Sequence, residues 1–177
     1  NWQLQLNAPN ALLLDTAQVQ LEGQPWSAPL HILDVHQITA RAGNGARFCV
    51  RFWFDVDEPL AGPVNLVMES PHRYAVVVNG QVVDGSQDQG WWIDPAFRQL
   101  AIAPLVQVGR NEVLLSGSFT RITELESIYI TGYFGVTSCR LRQENRLAGQ
   151  TFDRYAPRFH LRALPAAMDS VTSSHIP

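Results

Sequence analysis

Short apolar runs that alternate with polar residues dominate this chain, with turn residues between them about every ten positions. The clearest run is Arg47 to Val56, RFCVRFWFDV. Successive side chains of a strand point to opposite faces. Phe48, Val50, Phe52, Phe54 and Val56 therefore share one wholly apolar face, which belongs in a core. Cys49, Arg51, Trp53 and Asp55 share the other, which carries two charges and is at least partly wet. Ala11 to Glu22 opens apolar and then alternates into a turn at Gly23-Gln24. Val64 to Glu69, Phe97 to Ile102 and Ile128 to Val136 read as further strands.

Between Arg73–Val78 and Gln81–Val83 lies Asn79-Gly80, the strongest short hairpin signal, because both central residues of that turn need positive φ. A hairpin over Tyr74 to Val83 follows. Asp84 to Gly90 reads as a polar loop leading into Trp91-Trp92-Ile93-Asp94-Pro95, and Val108 to Glu112 as a turn into Val113-Leu114-Leu115. Leu30 to Ala40 alternates imperfectly, as a strand or a short connector would. Arg140 to Gly149 fits a short helix or a turn, Phe159 to Leu164 one more strand, and residues 165–177 have no clear period. About eight or more short strands, with no long helical period, predict an all-β antiparallel β-sandwich and disfavour α/β folds. The sandwich occupies 1–139, and 140–177 is an extension packed on it or a truncated continuation.

Composition narrows the field. A chain of 177 residues with 46% hydrophobic content buries a core without staples. All 13 basic residues are arginine, so no catalytic, Schiff-base or P-loop lysine exists here. The net charge of −3, with no basic stripe, argues against nucleic acid. No run approaches the ~18 apolar residues of a membrane span, and the opening NWQLQLNAPN has no signal-peptide pattern. Cys49 and Cys139 match no zinc or redox spacing. They are either two buried thiols or a bond joining an early strand to a late one, which would imply an oxidising compartment.

Signals for catalysis are weak. His31, His36, His72, His160 and His175 form no metal-ligand pattern, and His31 and His36 would take opposite faces of a strand. There is no nucleophile elbow, P-loop or dinucleotide fingerprint. Asp55, Asp57 and Glu58 end a strand beside Pro59, the usual place for a solvated turn. They are the candidates for a structural calcium, which takes oxygen ligands, and no other cofactor or metal is expected. Glu124 and Glu126 flank a core Leu125.

The aromatic residues are the better lead. Trp91 and Trp92 follow a polar loop, and Arg73 with Tyr74 opens a neighbouring strand. Sugar rings offer apolar C–H faces and hydroxyl edges, which a flat aromatic with nearby donors and acceptors can bind. Adjacent tryptophans on a strand point oppositely, so either both are packing residues or one packs inward and only the other is available to a ligand. Trp26 and Trp53 are further candidates.

The run Arg47–Val56, followed by Glu69-Ser-Pro-His-Arg-Tyr-Ala-Val-Val-Val-Asn-Gly80 and Gly90-Trp-Trp-Ile-Asp94, resembles the galactose-binding-like jelly-roll domain. Leu105 to Leu115 looks like that domain's usual turn and strand. Glu124 to Val136 resembles the closing strand in large α-L-rhamnosidase-like and family-two-like glycoside hydrolases, and Asn10–Asp15 the segment preceding the module in them. The likeness spans about residues 10–138. It implies a jelly-roll, galactose-binding-domain-like sandwich whose catalytic carboxylates lie in another domain, with Asn79-Gly80 as the hairpin turn. It also implies a secreted or periplasmic setting. The expected function is a non-catalytic carbohydrate-binding or accessory module of a larger glycoside hydrolase, not an enzyme itself. Its partners would be a carbohydrate or a neighbouring catalytic domain, met through Trp91, Trp92, Arg73, Tyr74 and Asp94. The alternative is a structural or protein-interaction sandwich that binds no sugar.

Overall fold

A computed structural model describes the backbone of residues 6–147 and 150–164, and the side chains of 6–138 and 159–164. In chain order the first elements are β1 (Asn10–Leu14), β2 (Thr16–Leu21), β3 (Leu30–His31), α1 (Ile32–Ala42) and β4 (Arg47–Val56). There follow β5 (Val64–Glu69), β6 (Ala75–Val78), β7 (Gln81–Val83), β8 (Asp88–Trp92) and β9 (Asp94–Ala101). The last are β10 (Gly109–Ser118), β11 (Ile128–Gly132), β12 (Phe134–Leu147) and β13 (Gln150–Ala163).

They form a β-sandwich. One sheet has five strands in the order β1-β11-β5-β9-β8. The other has eight, with the path β12-β13-β4-β10-β6-β7, β2 paired to β4 off that path and β3 paired to β2. Neighbours pair antiparallel, apart from a two-residue parallel contact between β13 and β4. The core lies between the sheets and is built by alternation. Strand β4 buries Phe48, Val50, Phe52, Phe54 and Val56 and leaves its intervening residues only half-covered. Leu12, Leu66, Met68, Leu100, Ile128 and Ile130 close the core from the five-stranded side.

Two runs that read as single strands are split between the sheets. Leu14 ends β1 in one sheet, and Thr16 begins β2 in the other, so the chain crosses at Asp15. Ile128–Val136 divides in the same way at Tyr133. There Gly132 is needed for space, since a Cβ on it would lie 2.8 Å from the Pro63 carbonyl oxygen and 3.1 Å from the Phe134 ring.

Three expectations require correction. Leu30–Ala40 is neither a strand nor a connector over most of its length, because α1 begins at Ile32. Ile32, Val35 and Thr39, spaced three and four apart, are its buried face. His31 is the helix cap, its Nδ1 accepting the Leu33 N–H at 3.3 Å, so the opposite-face argument for His31 and His36 fails. Asp84–Gly90 is only partly a loop. Asp84 and Gln87 form a capping box around one tight turn, and β8 starts at Asp88. Arg140–Leu147 is not helical, since β12 runs through this polar stretch and pairs with β13 along its length, while 148 and 149 lie outside the described residues. Phe159–Leu164 contributes the end of β13, and Leu161 is fully buried. Residues 165–177 lie outside the described residues.

The Asn79-Gly80 turn is present, with φ of 49° and 80°, both in the left-handed region. It is joined to the second turn by side-chain amides. Asn111, fully buried, accepts from Gln107 N–H at 2.8 Å and from Asn79 Nδ2 at 2.7 Å, and donates to the carbonyls of Gln107 and Gly109. Asn79 also donates to the Leu105 carbonyl and accepts the Glu112 N–H. One fully buried side chain thus bonds four polar groups of the surrounding turns. Asn111→Ala removes all four bonds and should cost about 2 kcal/mol. Urea unfolding should show a lower midpoint with an unchanged slope; an unchanged midpoint would remove the network from the account of the fold.

Candidate functional site

The edge of the sandwich carries the candidate site. Strands β6 and β7 close one edge of the eight-stranded sheet, and β8 and β9 the corresponding edge of the five-stranded one. Both pairs line a cleft of about 440 Å³. Val76, Val82, Val83 and Leu100 form its apolar wall, and His72, Asp84, Asp88 and Arg98 its polar groups. A volume of that size lies within the range of small-ligand sites, about 300–1,000 Å³.

Asp88 and Arg98 set the electrostatics. Arg98 Nε donates to Asp88 Oδ2 at 3.0 Å, and Nη2 donates to both carboxylate oxygens at 2.8–2.9 Å. The Gly90 N–H adds a bond to Oδ1 at 2.8 Å. The Arg98 bonds first, and the Gly90 N–H second, hold the Asp88 carboxyl below the usual carboxylate range. The pair is therefore ionised and planar at neutral pH. Trp91 stands directly across from Arg98 in the β8–β9 register and is 57% exposed.

The residues singled out in the sequence divide into three places. Neither tryptophan lines the cleft, but Trp91 pairs in register with Arg98, which does. The Trp92 ring is half-buried, 5.3 Å from that of Tyr129, which Phe97 meets edge-on from 6.0 Å. Neither tryptophan belongs to the core between the sheets: Trp91 is exposed, and Trp92 packs on the outer face of the five-stranded sheet, so the expectation that one of the pair packs inward is corrected. Asp94 follows the turn, its carboxylate accepting the Ala96 N–H at 2.8 Å. Arg73 donates to the Ile122 carbonyl, and Tyr74 donates its hydroxyl to the Glu124 carbonyl at 2.8 Å. These two bonds fasten the 120–126 segment to the start of β6. The Tyr74 ring still lines the cleft, and burial foremost pushes its hydroxyl pKa up to about 12.

A carboxylate group gathers nearby, though not the one expected. Glu69, Glu124 and Glu126 bring ligand oxygens within 4.8 Å of one another. Asp55, Asp57 and Glu58, the calcium candidates, are engaged elsewhere. Asp55 faces Arg110 at 3.6 Å, Asp57 meets His160 Nδ1 at 2.7 Å, and Glu58 accepts the Ala163 N–H at 3.1 Å. The last two anchor β13. Glu69 has its pKa raised, first by burial and then by Glu126 and Glu124.

Cys49 is a free thiol, half-buried, with Sγ 3.3 Å from the Ser116 hydroxyl. Trp26 and Trp53 both stack on Arg51. Asp88 and Arg98 were not foreseen. Opposite charges on either side of a Trp-Trp turn were the available signal, but shifts in the β8–β9 register hide the pairing from simple counting. No protein-family model and no curated protein matches the chain.

The Glu69 shift has a sign. An acid whose pKa is raised on folding binds its proton more readily in the native state, so its ionisation opposes folding. Lowering pH from neutrality through the raised Glu69 pKa towards 4.5 should therefore stabilise the native chain. Thermal melts of Glu69→Gln should show a higher melting temperature than wild type at pH 7 and a smaller rise on acidification. Parallel curves for the two proteins would contradict the assignment.

Proposed function

We propose that this domain is a non-catalytic carbohydrate-binding module, serving as an accessory to a larger glycoside hydrolase. The observation that carries the reading is the cleft with the Asp88–Arg98 fork in its wall and an exposed Trp91 opposite Arg98. Its chemistry suits a sugar. Paired ring hydroxyls need donors and acceptors at fixed separation, which a planar salt-bridged carboxylate and guanidinium supply. The C–H face needs apolar surface, which the valines and an indole supply. Asp88 is fixed as an ionised acceptor, an arrangement for recognition and not for proton donation. The resemblance to galactose-binding-like jelly rolls supports the same reading.

A second reading rests on the opposite side of the same sheet. Leu13, Tyr129 and Val67 lie in one cross-strand row on the outer face of the five-stranded sheet, next to the Trp92–Tyr129–Phe97 group. Val67 is fully buried there and Leu13 exposed, as in a face that braces a neighbouring domain without binding sugar.

Titration against a panel of neutral mono- and oligosaccharides, followed by tryptophan fluorescence and calorimetry, separates the two. Saturable binding is expected, weakened about tenfold or more by Trp91→Ala and by Arg98→Met, which is about 1.4 kcal/mol or more. A panel without a single binder would leave the bracing role.

A further inference from the structure

Around β4, away from the residues that line the cleft, the outer face of the eight-stranded sheet carries Arg51. Because β4 turns its even-numbered residues inward, Cys49, Arg51 and Trp53 point outward together. Register places Gln18 of β2 beside Arg51, and Gln20 of β2 and Ser116 of β10 on either side of Cys49. Trp26 reaches this face because Ser27 bonds Val19 twice: its N–H donates to the Val19 carbonyl and its hydroxyl accepts the Val19 N–H.

The guanidinium carbon of Arg51 lies 4.1 Å from the Trp26 ring centroid and 5.0 Å from that of Trp53. Two rings hold the plane of the cation, which favours Arg over Lys at such a position. Arg51 Nε and Nη2 both donate to Gln18 Oε1, at 2.9 and 2.7 Å. A guanidinium has five N–H donors, and this accounts for one of its two forks. The other fork, Nη1 with Nη2, meets no acceptor among the described residues. The partner that fixes Arg51 is a neutral amide, and among the described residues no carboxylate forms a salt bridge with it.

Next to it is a cavity of about 510 Å³ lined by Gln20, Glu22, Arg47, Cys49, Ser116 and Ser118, among others. Its wall mixes apolar surface, including Leu21 and Phe48, with hydroxyls, an amide and the Glu22–Arg47 ion pair, a mixture that suits the C–H faces and hydroxyl edges of a sugar. Cys49 lies two positions before Arg51 on one strand, about 7 Å away, a distance that one pyranose ring spans.

We propose that this face is a second binding site, for a carboxylate-bearing sugar. The uronate carboxylate takes the remaining Arg51 fork as a bidentate pair, and the ring hydroxyls enter the cavity over Cys49 and Ser116. The site rests on its own geometry and not on the edge cleft.

Calorimetric titration of the full chain with trigalacturonate and with its fully methyl-esterified form tests it. The ester keeps the hydroxyls and removes the negative charges. Trigalacturonate should bind about tenfold or more tightly than the ester, since a charge-assisted bidentate pair is lost. Arg51→Gln should abolish that preference. Arg51→Lys, which keeps charge and stem but not the fork, should lose most of it while circular dichroism shows an intact fold. The same titrations on Trp91→Ala, in which the cleft's own binding of the neutral ester is weakened, should still show the acid bound more tightly than the ester, so failure here and failure of the cleft are separable. Equal binding of acid and ester, absence of binding by both, or a folded Arg51→Lys variant as selective as wild type would overturn the proposal.

Discussion

The rest of the structure depends on one strand keeping strict alternation over ten residues. Phe48, Val50, Phe52, Phe54 and Val56 of β4 are buried between the sheets, and β2, β10 and β13 all pair with that strand. Slipping its register by one residue would bury Arg51 and Asp55 and expose three phenylalanines, which forbids the alternative. The same parity that makes the core turns Cys49, Arg51 and Trp53 to the outside. Core and outer face are thus two consequences of one pattern.

A second constraint works at the level of turns. The Asn-Gly hairpin and the Gly109-Arg110-Asn111 turn are far apart in the chain, but Asn79 Nδ2 reaches Asn111 Oδ1. Buried amides that satisfy each other and the surrounding backbone are costly to disturb and fix one arrangement. By holding β6, β7 and the entry to β10 together, the network sets the position of one wall of the edge cleft. The other wall is held by Arg98 and Asp88, whose ion pair braces the β8–β9 hairpin. That hairpin turns through Ile93, a β-branched residue at φ 64° and 77% exposed. Such a conformation is unusual for isoleucine and costs energy. Its place between the packed Trp92 and Asp94 makes it the strained point of the site.

The parts of the fold legible in the sequence were those with a local physical signature. Alternation marked β4, and Asn79-Gly80 marked its hairpin. Adjacency alone required Trp91 and Trp92 to differ, and they do. Helix α1 was hidden because Ile32, Val35, Ile38 and Thr39 are β-branched, which favours strands by propensity, so the three-and-four spacing of its buried face went unweighted. The splits at Asp15 and Tyr133 were hidden because changing sheets leaves the apolar pattern intact. Of the sequence candidates, Tyr74 lines the cleft and Trp91 stands across from Arg98, whereas Arg73, Trp92 and Asp94 lie outside its lining. Arg73 and Tyr74 look free as letters but are tied to carbonyls of the 120–126 segment. The contact of Arg51 with Trp26 has no local signature either, because Trp26 is brought to it by the turn after β2.

The most direct measurement is chemical-shift mapping on a ¹⁵N-labelled chain during addition of a neutral oligosaccharide mixture. The account predicts that the Trp91 indole N–H, the backbone amides of Asp88–Trp92 and that of Arg98 move together and saturate, while the amides of α1 stay in place. Spectra unmoved by any glycan, or shifts that avoid the β8–β9 edge, would contradict a sugar cleft there.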